Sequence, residues 1–169
     1  KTSTPAPCRK FLKDAFTMLM TGTEDEVIDY IEQCRKEFKS LPPSEIAFPR
    51  TVSNVEKWKS PSDMYLKGCP IHVRGAILYN HYTKKKQIDH KYASINNGEK
   101  IKFCYLKTPN WMHENVISFI QDFPTELDLD KHVDYDLQFS KSFIEPIKVI
   151  LDCIGWETER KNTLESFFS

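Results

Sequence analysis

Asn96-Asn97-Gly98-Glu99-Lys100-Ile101-Lys102-Phe103-Cys104-Tyr105-Leu106 is the stretch that decides the fold class. Asn-Asn-Gly is a turn signal. Behind it Ile101, Phe103 and Tyr105 alternate with Lys102, Cys104 and Leu106, a period of two that predicts a strand. Residues 116–120 predict its partner. Almost everything else with a period reads as helix. Pro5 suits a first helical turn, where its missing N–H costs nothing. Phe11, Leu12, Ala15, Phe16 and Leu19 then recur at helical spacing, and Gly22 stands where a left-handed terminator is expected. Thr23 and Glu26 form a capping box that opens a second helix, with Val27, Tyr30, Ile31, Cys34 and Phe38 as its apolar stripe. Leu41-Pro42-Pro43 stops it, so the first forty residues predict a helical hairpin.

Residues 44–66 hold no sustained period and read as a long connection, with a short helix around Asn54 to Trp58. A connection of that length acts as a binding segment or lies against something. Pro70 opens a helix to about Tyr82 with Ile71, Ile77 and Leu78 inward, closing on Lys84-Lys85-Lys86, a charge that suits a helix C-terminus. Val133 through Phe143 predict a helix. Pro146 then starts or kinks a further helical stretch that Gly155 ends. The expected class is α+β: a helical hairpin and further helices packed with a small antiparallel β-sheet. The expected organisation is one domain over residues 1–155 and a polar tail over 156–169.

The 169 residues are 40% hydrophobic and 28% charged, which excludes a disordered chain. No apolar run approaches the roughly 20 residues of a membrane span, and a soluble chain is expected. Lys1 stands where a Met is usual, so a fragment or a processed product is expected, and no secretory signal pattern is present. Cys8, Cys34, Cys69, Cys104 and Cys153 are odd in number and lack zinc-ribbon spacing. Reduced, buried thiols in a cytosolic compartment are the expectation.

The zero net charge conceals a segregation. Residues 50–109 carry twelve basic and four acidic side chains, whereas residues 110–169 carry five basic and twelve acidic. On charge alone the expected reading is a solvated face balanced by the acidic third; the alternative is a phosphate-binding surface. Within the basic stretch stand Lys57 and Trp58, then Lys67-Gly68-Cys69-Pro70-Ile71-His72-Val73-Arg74-Gly75 running into a helix start. Free N–H groups there suit a phosphate oxygen, and Lys67, His72 and Arg74 add charge and donors. Such contacts hold a duplex by its backbone and read no sequence. The plain alternative is a Pro-initiated helix with ordinary surface charges.

Catalytic motifs are absent: no glycine-rich phosphate loop, no His-Glu-x-x-His, no Gly-x-Ser-x-Gly. Asp128, Asp130, Asp134 and Asp136 are the one acidic constellation that would suit a small metal-dependent phosphoryl-transfer enzyme or nuclease. Acids flanking a helix start have a simpler role as dipole partners. The histidines at 72, 81, 90, 113 and 132 show no ligand spacing. At the C-terminus Leu164, Phe167 and Phe168 share one face of a helical turn within a polar tail, which predicts a peptide that docks in another protein's groove. The alternative is a tail that folds back on its own core.

Several ordered matches make the chain resemble the C-terminal thumb region of the family B DNA polymerases of T-even-type bacteriophages and their cyanophage relatives. The matches are Lys1-Thr2-Ser3-Thr4-Pro5, Arg35-Lys36-Glu37-Phe38, Cys69-Pro70-Ile71-His72-Val73-Arg74-Gly75 followed by Tyr79-Asn80, Gly98-Glu99-Lys100-Ile101, and Asp134-Tyr135 followed by Lys141-Ser142-Phe143-Ile144 and Pro146. The resemblance implies a thumb-like fold, with residues 1–5 as the junction from the palm. It implies a non-catalytic lobe that grips primer–template DNA beside the palm, fingers and exonuclease, in a phage replisome in the cytoplasm of the infected bacterium. The catalytic residues and their Mg2+ would belong to the rest of the polymerase, with no cofactor in this segment. Lys57, Trp58, Lys67, His72, Arg74, Asn80 and Lys141 would meet DNA. Leu164, Phe167 and Phe168 would bind the sliding clamp. Departures are Gly68 and not a basic residue before Cys69-Pro70, Asn115 and Glu145 where relatives carry lysines, and Lys161 in place of the opening Gln of cellular clamp motifs. These departures imply a grip either weaker than in the relatives or redistributed to Lys84-Lys85-Lys86.

Overall fold

The computed structural model describes residues 3–160. The predicted hairpin is present as α1 (Ala6–Thr21) and α2 (Glu24–Lys39). Its joint is the capping box: Thr23 Oγ1 accepts from the Glu26 N–H at 3.3 Å, and Glu26 Oε2 accepts from the Thr23 N–H at 3.1 Å. Gly22 differs from the expected left-handed terminator. Its φ is −91° and its N–H donates to the Met18 carbonyl at 2.6 Å. A side chain there would crowd that same carbonyl, so closeness and not handedness explains the glycine. Phe11, Ala15, Val27, Ile31, Cys34 and Phe38 are buried along the predicted stripes, but Phe16 faces outward.

The connection over residues 44–66 holds more structure than its composition suggests. α3 (Pro43–Ile46) is a single turn, β1 (Phe48–Thr51) is a strand, and α4 (Val55–Trp58) is the short helix expected there. β1 pairs antiparallel with β2 (Lys100–Tyr105), which pairs antiparallel with β3 (Val116–Phe119). β1 is an edge strand, the position where Pro49, with no N–H for a ladder, is tolerated. Phe103 lies opposite Phe48 and Ser118. Cys104, facing the other way, is as buried as Phe103, because both faces of the sheet are covered. Its thiol donates to the Pro43 carbonyl at 3.7 Å, and Lys102 Nζ donates to the Ser44 carbonyl at 3.0 Å.

α5 (Ile71–Lys85) lies across β3. The approach is closest at Gly75, where an added Cβ would stand 2.3 Å from Ser118 Oγ and 2.8 Å from the Ser118 nitrogen. Ser118 Oγ in turn donates to the His72 carbonyl at 2.8 Å.

The last helix differs from its reading. Val133 and Asp134 lie outside it, with Asp134 accepting from the Leu137 N–H at 3.0 Å as its cap. From there α6 (Tyr135–Phe139), a π-helical turn (Ser140–Ile144) and α7 (Glu145–Cys153) follow without a break. Pro146 cannot donate back into the ladder. The chain accommodates it by widening just before, with the Glu145 N–H reaching the Ser140 carbonyl. Phe38, Phe139, Phe143 and Phe11 make a run of ring contacts at 5.0–6.2 Å that fuses the hairpin to this helix. Buried Gln138 joins these helices to the sheet: its Oε1 accepts from the Tyr105 N–H at 2.9 Å and its Nε2 donates to the Ile46 carbonyl at 3.0 Å. Among the described residues no helix is long and apolar enough to cross a membrane. All five cysteines are free thiols, and burial pushes Cys8 and Cys34 up to about 11.

Gly75→Ala tests the α5–β3 approach by sign. In an uncrowded helix the change stabilises by about 0.5–1 kcal/mol. Here overpacking of about 1–3 kcal/mol prevails. The urea midpoint is therefore expected to fall, and a raised midpoint contradicts the close approach.

Candidate nucleic-acid interface

The basic middle third gathers around α5. Its start is shaped by Gly68, at φ +85°, a left-handed conformation that glycine adopts freely. The Cys69 N–H bonds to the Leu66 carbonyl at 3.2 Å, and Pro70 caps the first turn. Lys67 projects from this turn and is exposed. A basic side chain in place of Gly68 would strain the turn.

His72, Arg74 and Asn80 point to neighbours in the chain. The His72 ring lies 6.4 Å from the Phe103 ring. Burial first, and then the Arg50 charge, pull its pKa below the ordinary imidazole value, so it is neutral at pH 7. Arg74 Nη1 stands 3.2 Å from Glu114 Oε2, the Tyr65 hydroxyl donates to Glu114 Oε1 at 2.7 Å, and the guanidinium lies 5.5 Å from the centre of the Tyr65 ring. This knot is about four-fifths buried and ties the 59–66 segment and the 110–114 loop to α5. Asn80 brackets Ile95: Nδ2 donates to its carbonyl at 2.9 Å and Oδ1 accepts from its N–H at 2.7 Å.

Lys57 and Trp58 end α4, with the ammonium 5.1 Å from the centre of the indole ring. The chain then loops over α5, closed by the Leu66 N–H on the Trp58 carbonyl at 2.8 Å. Between loop and helix runs an open groove of about 440 Å³ with Lys59, Ser60, Asp63, Asn80, His81 and Lys84 along it. Beyond it, Lys85 lies over Tyr82 and Lys86 over Trp111, at 5.9 and 4.6 Å from the ring centres. Lys57, Trp58 and Asn80 are thus brought to one side of α5, with Lys67 at its start. Lys141 is exposed and apart from them, on the π-helical turn, 5.5 Å from the centre of the Tyr105 ring. Lys59, Tyr65 and Glu114 carried no signal in a one-dimensional reading, because they come from other segments and meet α5 only in the fold; His81 stands on α5 itself. Leu164, Phe167 and Phe168 lie outside the described residues.

The acidic constellation disperses. Asp134 caps α6, and Asp136 pairs with Lys39 at 3.0 Å, which holds its carboxyl below the usual range. Asp128 and Asp130 lie at two separate 3-10 turns. Among the described residues no group of three or more His, Cys, Asp or Glu side chains could hold a metal ion.

The comparisons add a relationship to this geometry: the chain is distantly related to phage DNA-directed DNA polymerases. It is 24% identical over 172 residues to the DNA-directed DNA polymerase of Enterobacteria phage T4. It is 27% identical over 174 residues to that of Escherichia phage RB69. Each match covers 99% of this chain and 19% of the relative, so the chain spans about a fifth of their length. No family model matches.

Glu114→Ala is expected to lower stability by about 1–3 kcal/mol in urea unfolding, because Arg74 and the Tyr65 hydroxyl are left largely buried without their shared acceptor. Tyr65→Phe keeps the ion pair and should cost less. Because the folded pKa of His72 is depressed, its contribution is fully present above the ordinary imidazole pKa. It is lost as pH falls from there through the folded value. His72→Gln should therefore flatten the stability–pH curve below about pH 6.5.

Proposed function

We propose that this chain is the duplex-gripping thumb segment of a phage replicative DNA polymerase, with its last residues tethering the enzyme to a sliding clamp. The observation that carries the reading is the alignment of 99% of the chain with one stretch of two phage polymerases. Grip by charge supports it. Lys57, Lys67, Lys141 and the Lys84-Lys85-Lys86 run stand outside the core, free to reach phosphate oxygens. Trp58, His72, Arg74 and Asn80 shape the surface that presents them. Contacts to phosphate position a duplex and carry no sequence information, as suits a lobe that holds newly made product of any sequence. The chemistry of synthesis then belongs to other parts of the polymerase, and Leu164, Phe167 and Phe168 anchor the tail in a groove of the clamp.

Affinity of the chain for duplex DNA over a salt series tests the grip. The logarithm of affinity should fall linearly with the logarithm of salt, by about 0.9 for each phosphate contact. Lys57→Ala, Lys67→Ala and Lys141→Ala should each weaken binding alike for all sequences and reduce the slope by about 1. Salt-insensitive or strongly sequence-selective binding overturns the reading. Phe167→Ala with Phe168→Ala should abolish clamp binding and leave the duplex affinity unchanged.

A further inference from the structure

A second open groove, apolar in its floor, runs along α1. Leu12, Phe16 and Met20 recur every fourth residue along one face of α1, and Pro146, Ile150 and Ile154 do the same along and just past α7. Four of these residues, Leu12, Phe16, Met20 and Pro146, line a groove of about 610 Å³, with Arg9 and Lys13 on its far half. Met20 is 84% exposed, and Phe16, Ile150 and Ile154 are exposed as well. Apolar side chains aligned on two neighbouring helices mark a surface that something covers.

We propose that this groove is an intramolecular seat for the chain's own residues 161–169, filled by Leu164, Phe167 and Phe168. Three observations single out that occupant. The first is position. The Glu157 N–H donates to Glu24 Oε1 at 3.0 Å, and Arg160 Nη2 stands 2.7 Å from Asp29 Oδ1. Glu24 opens α2 just after the hairpin turn, so the chain passes the turn end of α1 and makes its last described contact on α2 at Asp29. The second is length. Nine residues reach at most roughly 30 Å, whereas Met20 to Arg9 spans only about 16 Å of helix. The third is chemistry. Three large apolar side chains match the apolar floor, and Glu165 among them matches the cationic half at Lys13 and Arg9.

The inference stands without the clamp reading. If both hold, the two seats compete for the same three side chains, and a clamp must draw the tail out of the groove before it binds. The local concentration of a tail joined by a short linker is in the millimolar range, so self-docking outcompetes a free peptide even when the intrinsic affinity is modest.

A fluorescent peptide of the 161–169 sequence tests it on the whole chain. The peptide should bind the full-length Leu164→Ala, Phe167→Ala, Phe168→Ala triple variant. It should bind the unaltered chain at least ten-fold more weakly, because the native tail already holds the seat. Adding Met20→Glu to the triple variant should abolish peptide binding, and adding Lys13→Glu should weaken it. Both side chains lie outside the core, so the melting temperature should not move. Duplex affinity should be the same for all of these chains, which separates this test from that of the grip. Equal binding to the unaltered chain and the triple variant overturns the proposal, as does no binding or indifference to Met20→Glu. A concentration-dependent dimer of the triple variant that Met20→Glu dissolves assigns the groove to a second copy and overturns it too.

Discussion

At Gly75 helix α5 comes within van der Waals contact of the β3 backbone, closer than any side chain on the helix would allow. The rest of the basic half is arranged around that contact. Because the helix sits so low, Ser118 can reach the His72 carbonyl and the first turn is fixed. With the helix fixed, Arg74 meets Glu114 and Tyr65, which fastens two loops, and Asn80 brackets Ile95, which fastens a third. Lysines on those loops then have a stable base. Arg74, a side chain that seemed well suited to touch a phosphate, is occupied in making that base, and the His72 ring lies against Phe103. Those left exposed, Lys57 and Lys67, are the plainer ones.

Much of this was legible in the sequence where a local rule acts alone. The capping box at Thr23 and Glu26 involves four residues and no tertiary partner, and it reads directly. The alternation at Ile101, Phe103 and Tyr105 predicts β2. It overstates polarity on the other face, because Cys104 is covered by α3, an element set by contacts far along the chain. β1 is hidden for a related reason: Pro49 argues against a strand, and only the edge position makes it tolerable. Gly75 inside a helical pattern is a readable flag for close packing, although nothing in one dimension names Ser118 as the neighbour. The π-helical turn is invisible because Pro146 announces a disturbance without saying how the ladder absorbs it.

The site was less legible than the fold. Charge segregation locates a basic third, but a count of lysines does not separate a paired cation from a free one. The pairing partners lie at a distance of 40 residues for Arg74 and Glu114, and 35 for Lys91 and Glu126. Likewise Asp134 and Asp136 are close in sequence yet serve different tasks, one at a helix cap and one against Lys39. Proximity along the chain put the acids together; the fold turns them apart.

Gln138 gives the molecule a property that no single element has. One buried amide holds the end of β2 with its oxygen and the α3 turn with its nitrogen, while its own backbone belongs to α6. Peeling away any one of the three strands a polar group in the interior of the other two, at a cost of about 1–3 kcal/mol for each orphaned partner. Hairpin side and sheet side therefore open together as one cooperative unit rather than as two independently fraying halves. A lobe so fastened has no weak seam at its middle.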